Sequence, residues 1–432
     1  MLSKEIPMST ENEILSKTWR EGIGKLSFMK KRSIWKKMGE VAFLTLGIPL
    51  IFFILLETLI RFSGVNTEVV KSKNFQIEVP IWASNDINFF AAEGIYKQIL
   101  DNTLSVESAD WLNYFEEAPY VHYKLKPHIS AYVTNTVNRI ELEKGIKIFI
   151  KSNSEGFRTE EIPVQKGKNV YRIVLLGDSS TFGWGVNQDE RFSRFLEDQL
   201  NSVQSSIRYE IINLGIPGYT TDHGIAAFRH YALKYSPDMM ILSFGANDGK
   251  PVPQSAKKFL KQNPWIEDLQ GFLRNFSTYK LMRKVLLSFY NPFDNLTEPY
   301  QRGPVEPFVT FPEYQKNLEY LIDTGREKGI ETVLLGLCCP KGYLDIMRRV
   351  AQNKNVPMID GMHVLIQSIP DLQEEKRYPE LVRYYKSLFG EESLKNRRLW
   401  YVTNDTCHPN VIGHKILAET LYDRIFAEKI QR

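Results

Sequence analysis

A serine placed directly after an apolar run and a glycine is a candidate nucleophile. Here the run Ile173–Leu176 ends in Gly177-Asp178-Ser179-Ser180. Glycine permits a sharp strand-to-helix bend, and a helix N-terminus offers backbone N–H groups to a developing negative charge. Alone the pattern is weak, because serine before a helix is commonly a plain N-cap. Asp178 is read as bracing the turn rather than reacting. Three other stretches supply what a nucleophile lacks. Asn213-Leu214-Gly215-Ile216-Pro217-Gly218-Tyr219-Thr220 contains Gly218, whose N–H can approach a ligand closely because no Cβ intervenes. Gly245-Ala246-Asn247-Asp248 contains Asn247, a neutral side-chain donor suited to an oxyanion. In Asp405-Thr406-Cys407-His408-Pro409-Asn410, Asp405 stands three residues before His408. Its carboxylate can accept the Nδ1–H and leave Nε2 as the base. A turn glycine, a capping asparagine or a structural histidine is ordinary singly; all of them at the ends of successive strands are not.

Those elements are read from periodicity. Short apolar runs without alternation give five strands: Ile173–Leu176, Tyr209–Leu214, Met239–Phe244, Thr332–Leu337 and Val356–Ile359. Amphipathic helices lie between them. One spans Asp189–Leu200 with Phe192, Phe195, Leu196 and Leu200 on one face, and one follows Thr220–Asp222. A third carries Tyr314, Leu318, Leu321 and Ile322 and stops at Gly329; the last starts near Asn410 with Ile416, Leu417, Leu421 and Ile425 inward. Unalternating strands separated by helices mean a parallel sheet covered on both faces. The expected fold is therefore α/β: a doubly wound parallel sheet of about five strands, flavodoxin-like. Its strand ends would converge on one edge and bring Ser179, Gly218, Asn247 and His408 together. Residues 250–312 and 369–400 interrupt the pattern on that edge and are candidates for a lid, a substrate groove or surface decoration.

With these blocks in this order, residues from about 171 to the C-terminus resemble the SGNH hydrolase superfamily, the GDSL esterases and lipases. The family is named for serine, glycine, asparagine and histidine in four blocks. Here they are GDSS with Ser179, NLGIPGYT with Gly218, GAND with Asn247, and DTCHP with His408 and Asp405. Ser180, where the family name has leucine, lies outside that set. The stretch Asn153-Ser154-Glu155-Gly156-Phe157-Arg158 looks like the lead-in of membrane-anchored bacterial members. The resemblance implies a serine esterase with Ser179, His408 and Asp405 catalytic. The oxyanion would be held by the N–H groups of Ser179 and Gly218 and the Asn247 side chain, with Gly177 and Asp178 shaping the turn. Deacylation of envelope glycans or lipids and acyl transfer to a sugar hydroxyl share these residues. Transfer would need a multi-pass membrane partner to bring an acyl donor across. A non-catalytic polysaccharide-binding or assembly protein is the reading from another class. No metal-ligand spacing is present, and no metal or cofactor is expected.

Composition bounds the rest. Lys and Arg number 55 against 51 Asp and Glu, a net +4, too even for a nucleic-acid binder working through bulk charge. A mean hydropathy of −0.29 excludes a polytopic membrane protein. Val41–Ile60 nevertheless reads VAFLTLGIPLIFFILLETLI with Glu57 its one ionisable residue, and ~20 residues suffice to cross a bilayer. The run is long and late for a cleaved signal peptide and lacks a small-residue cleavage site. Lys25, Lys30, Lys31, Arg32, Lys36 and Lys37 precede it and Arg61 alone follows closely. The positive-inside rule then puts the N-terminus in the cytoplasm and the rest outside, at a bacterial inner membrane on the periplasmic side. On that reading the sequons at Asn275, Asn295 and Asn404 carry no glycan. The expected division is a tail at 1–37, an anchor at 38–64, a spacer or β-rich cap at 65–165 and the hydrolase domain at 166–432. The cap, with Trp82, Phe89, Phe90, Trp111, Tyr114 and Phe115, shows no catalytic set; Tyr132–Ile150 alternates as paired strands would. His223, His230, His363 and His414 are read as surface or core residues. Three cysteines exclude a disulfide scaffold and a four-cysteine zinc site. Either Cys407 bridges Cys338 or Cys339 across the sheet edge, or all three are free thiols.

Overall fold

The computed structural model of the chain describes residues 37–38, 40–41, 43–71, 78–83, 110–203, 206–253, 264–289 and 305–427. The expected tail before Lys37, with Lys25, Lys30, Lys31, Arg32 and Lys36, lies outside these, as do Phe89, Phe90, Asn295 and the middle of the 250–312 insertion. The chain divides into two compact units, Met1–Thr67 with Phe276–Met282, and Glu68–Asn275 with Arg283–Arg432.

In the first unit a π turn, Phe43–Gly47, runs into the α-helix Ile48–Phe62. Pro49 lies just past the π turn, where the helical backbone continues through Gly47; proline is tolerated in membrane spans because local π adjustments absorb the missing N–H. Phe43, Leu44, Leu46, Ile51, Phe52, Leu55 and Leu59 are all exposed. Among the described residues this is the one helix long and apolar enough to cross a membrane.

The second unit is built on a five-stranded parallel sheet: β1 (Val170–Gly177), β2 (Arg208–Asn213), β3 (Met239–Ser243), β4 (Glu331–Gly336) and β5 (Met358–Asp360). The order is β5-β4-β3-β1-β2, the flavodoxin-like winding expected from sequence. Register sets Gly177 beside Ser243, Leu175 beside Asn213, and Leu334 beside both Leu242 and Met358. Both faces are covered. Val174, Leu176, Ile212, Met240 and Leu242 enter one core, while Ile173, Leu175, Ile211, Met239 and Ile241 enter the other. Alternate side chains go to opposite cores, so the strands read as continuous apolar runs.

The helices that matter for the site are α1 (Ser179–Phe182), α2 (Phe192–Ser202), α3 (Thr221–Ala227), α4 (Pro264–Leu273), α5 (Ser277–Phe289), α6 (Phe311–Glu327), α7 (Lys341–Lys354) and α8 (Val411–Leu421). The helix expected from Asp189 starts at Phe192. Gln188–Glu190 forms a separate 3₁₀ turn, closed by a capping box between Asn187 and Glu190.

Upstream of β1, antiparallel strand pairs join Phe115–Ala118 to His122–Leu125 and Ser130–Thr134 to Lys147–Lys151. The second pair accounts for the alternation in Tyr132–Ile150. Ile140 and Leu142, however, lie on a short helix, Arg139–Glu143, because the Asn138 side chain accepts the Glu141 N–H at 2.9 Å and caps it. Trp82, Trp111, Phe115, Tyr123 and Phe157 share a core with Phe182 and the sheet. The 369–400 stretch folds into short helices. Val382, Tyr385, Leu388 and Phe389 of Pro379–Phe389 are buried in the other core, so that helix is part of the helical layer.

Candidate active site

The sheet order reverses between β1 and β3, where open α/β sheets form their ligand crevice. Ser179 opens α1 straight after β1. Asp178 caps that helix, its Oδ1 accepting the Ser180 N–H at 2.9 Å. Gly177 has no room for a side chain: a Cβ there would lie 2.1 Å from Thr181 Oγ1 and 2.7 Å from the Ser243 carbonyl. The bend that presents Ser179 therefore requires glycine.

His408 stands on a loop leading into α8. That loop is closed by a bridge between Thr403 and Pro409 and by the Asn404 N–H on the His408 carbonyl at 2.9 Å. Its tip, Thr406, has φ +73°, uncommon for a β-branched residue. Asp405 Oδ1 accepts the backbone N–H groups of Cys407 and His408 at 3.0 and 2.7 Å, and its Oδ2 lies 2.6 Å from His408 Nδ1. His408 Nε2 lies 2.8 Å from Ser179 Oγ. With Nδ1–H donating to the carboxylate, Nε2 is free to accept the serine hydroxyl. The arrangement can withdraw that proton as Oγ attacks a carbonyl.

Gly218 occupies the third position of a turn whose Tyr219 N–H returns to the Ile216 carbonyl at 3.2 Å, with Pro217 before it and φ +86° at the glycine. This is the type II pattern, which needs glycine at that place. The Ile216 N–H on the Gly177 carbonyl at 3.2 Å ties the turn to the end of β1. Asn247 is buried, and one of its amide N–H groups donates to the Tyr219 carbonyl at 3.1 Å. The Gly218 turn is thus held between the β1 and β3 ends, beside Ser179, whose own N–H in the first turn of α1 has no intrahelical acceptor.

Sequence reading overlooked three groups. Asp248, next to Asn247, accepts from Thr221 N, Thr221 Oγ1 and Gly245 N at 2.9, 2.6 and 3.0 Å. It locks the β3 turn to the start of α3; burial pushes its carboxyl up to about 7. Tyr123, from the segment read as having no catalytic set, donates its hydroxyl to the Pro217 carbonyl at 2.5 Å, and the Tyr219 hydroxyl donates to the Tyr123 carbonyl at 2.6 Å. This reciprocal pair clamps the Gly218 turn. Arg158, from the lead-in, is fully buried and donates to the carbonyls of Gly183, Val186 and Phe149 at 2.6, 2.7 and 3.1 Å. It collects the backbone at the end of α1. The GAND block and the lead-in were visible signals for two of these; nothing local marks Tyr123. His223 and His414 are core residues, accepting the N–H groups of Thr220 and Phe192 at 3.2 and 3.1 Å.

Cys407 is bridged to Cys338 at the end of β4, and Cys339 is a free thiol. Of the two sequence alternatives the bridge is the one present, and it fastens the histidine loop to the sheet. With the cysteines 69 residues apart, loop-closure entropy alone assigns the bridge about 4 kcal/mol. Denatured, unreduced protein should titrate one thiol and reduced protein three, and reduction should lower the thermal midpoint. Three thiols before reduction would exclude the bridge.

Electrostatics separates the site's acids. Burial opposes charging His408, but the Asp405 carboxylate, with help from Asp178, outweighs it and holds the imidazole above its usual 6.5. Burial also opposes ionisation of Asp405, yet His408 and the two backbone N–H groups bring its carboxyl below the usual 3.8. Nearby Glu141 is pushed up to about 8 by burial and by the Asp405 charge. Burial pushes Asp178 up to about 6. A base must be unprotonated to act, so activity falls as pH drops through the raised His408 value. The acid limb of kcat/KM should therefore have its midpoint above 6.5; a midpoint well below it would mean another group is the base. Among the described residues no group of three or more His, Cys, Asp and Glu side chains is placed to hold a metal ion.

Fold and strand-end residues together define an α/β protein with a serine, a histidine and an aspartate in hydrogen-bond series at the switch point. Residues 175–416, more than half of the chain, match the GDSL-like Lipase/Acylhydrolase family, and the chain belongs to that family. An arylesterase of Vibrio mimicus is 30% identical over 78 residues, 18% of this chain and 38% of that enzyme. The match thus spans less than half of that relative's length. Among solved structures, a lipase/acylhydrolase from Enterococcus faecalis shares 17% identity, with a TM-score of 0.34 over 60% of this chain and 96% of that one. A psychrotrophic esterase from a Pseudoalteromonas species shares 16%, with a TM-score of 0.34 over 60% and 99%. An acetylxylan esterase from Geobacillus stearothermophilus shares 16%, with a TM-score of 0.33 over 59% and 94%.

Proposed function

We propose that this protein is a membrane-anchored serine esterase that removes O-acyl groups from envelope glycans or lipids outside the cytoplasm. The observation that carries the reading is the hydrogen-bonded series from Asp405 through His408 to Ser179. Ser179 Oγ bonds to the acyl carbon as His408 Nε2 takes its proton. The oxyanion rests against the N–H groups of Ser179 and Gly218 and the Asn247 amide. When the intermediate collapses, the ester C–O bond breaks and His408 passes its proton to the departing alkoxide. Water then repeats the sequence on the acyl-enzyme, releasing a carboxylic acid and restoring Ser179.

The apolar helix Phe43–Phe62 supports the anchor, and the basic residues before it support a cytoplasmic N-terminus. The Cys338–Cys407 bridge accords with an oxidising compartment for the domain that follows. The test is the purified full chain in detergent, given an aryl acetate and an O-acetylated polysaccharide, with a fluorophosphonate probe alongside. Labelling at Ser179 with acetate released into water is the expected result. Labelling without release to water would turn the reading to acyl transfer. Folded protein with neither would overturn it.

A further inference from the structure

The insertion after β3 carries a helix, α5, whose apolar residues face outward. On α5, Met282, Val285, Leu286 and Phe289 are 52, 48, 61 and 78% exposed, one stripe at helical spacing. Scattered exposed apolar residues are ordinary, but an amphipathic helix normally turns such a stripe toward a core.

The start of α5 shows what meets the stripe. Glu57, on the apolar helix Ile48–Phe62, accepts the Ser277 N–H, the Thr278 N–H and the Thr278 hydroxyl, each at 2.8 Å, and the Arg61 Nε–H at 2.6 Å. Phe53 and Phe276 meet edge to face at 5.3 Å. Glu57 is the one acid in that apolar run, and a carboxylate there is costly unless paired; the first N–H groups of α5 and Arg61 pair it. Glu57 stands five residues before Phe62, about 7.5 Å along the helix axis. That is the depth, ~5–10 Å, at which an interfacial helix beds into the headgroup–acyl boundary. With 13 residues, α5 is too short to cross, since a span needs ~20. It carries Lys280, Arg283 and Lys284 and no acid, Arg283 being paired with Glu117; Lys280 is a charge of the sign an anionic lipid surface attracts.

We propose that α5 is an interfacial helix bedded in the outer leaflet, with the lipid bilayer as the partner of its exposed stripe. The inference rests on the anchor reading given above.

The test uses the full chain with Cys339→Ala, reconstituted in phosphatidylcholine–phosphatidylglycerol vesicles. Single cysteines at Leu286→Cys, Leu50→Cys or Lys328→Cys carry an environment-sensitive fluorophore, and retained aryl acetate hydrolysis reports folding. Nitroxides at carbon 5 or carbon 12 of the acyl chain report depth. At Leu286→Cys the shallow nitroxide should quench about twofold more strongly than the deep one. Leu50→Cys should show the reverse, and Lys328→Cys neither. Quenching at Leu50→Cys without quenching at Leu286→Cys would overturn the interfacial helix and leave the anchor standing, with a protein surface covering the stripe. Deep quenching at Leu286→Cys would overturn it in favour of insertion. No quenching at either would remove the anchor reading and this inference together.

Discussion

Replacing Ser179 with alanine should abolish fluorophosphonate labelling and lower kcat for aryl acetate hydrolysis by about 10⁴-fold or more. The turn itself should survive. It is held by the Asp178 cap on Ser180, by the lack of space at Gly177 and by Arg158 on the carbonyls after α1, and none of these uses the Ser179 hydroxyl. The thermal midpoint of Ser179→Ala should therefore stay close to that of the unaltered chain, so lost activity reads as lost chemistry. His408→Ala should cost about as much as Ser179→Ala, and the double variant little more. A nucleophile and its base act as one unit, and what survives either loss is the catalysis supplied by oxyanion donors and binding. Ser180→Ala is the matched control. Its hydroxyl is buried and has no hydrogen-bond partner among the described residues, so hydrolysis should persist. Activity retained in Ser179→Ala, or summed losses in the double variant, would mean that the 2.8 Å contact between Ser179 and His408 is not used for chemistry.

The sequence made the sheet and its four chemical turns legible for a physical reason. Apolar runs such as Met239–Ser243 contribute to both cores, and both demand apolar side chains. Gly177 and Gly218 sit where only glycine fits, by contact in one case and by backbone angle in the other. Less legible were groups whose work depends on distant parts of the chain. Tyr123 meets Pro217 across 94 residues, and no local pattern marks a tyrosine as the brace of a turn that far away. Arg158 could be noticed in the lead-in, but a guanidinium spent on backbone carbonyls leaves no acidic partner to search for. Ile140 and Leu142 misled because apolar residues two apart fit a strand, while one capping asparagine is enough to start a helix there. Cys407 could be placed near β4 from the fold, yet adjacent Cys338 and Cys339 offered two partners. Side-chain direction at the strand end chooses between them, and spacing does not encode it.

Asp405→Asn should lower kcat/KM for the same ester by about 10⁴-fold, the cost of a wrong histidine tautomer in a triad, while leaving the loop folded. Asparagine Oδ1 can still accept the Cys407 and His408 N–H groups that the aspartate accepts at 3.0 and 2.7 Å. The other arm changes sign. Where Oδ2 accepted from His408 Nδ1, an amide N–H now donates, so Nδ1 must be the lone-pair nitrogen. The proton then sits on Nε2 and points at Ser179, and the base is gone. Asp405→Ala should match the loss in rate and add a loss in stability, because both backbone N–H groups also lose their acceptor. Stability carries its own pH signature. The Asp405 carboxyl is held below 3.8 in the folded chain despite burial, mainly by His408. Its contribution is present above that value and is lost as pH falls through the depressed one, so the variants should be less destabilised in acid than at neutrality. Relieved of the Asp405 charge, Glu141 should titrate below its present value of about 8. If Asp405→Asn keeps activity within tenfold, another acid is setting the tautomer. The test of that is Asp178→Asn in the same background, since Asp178 is the second carboxylate whose charge raises His408.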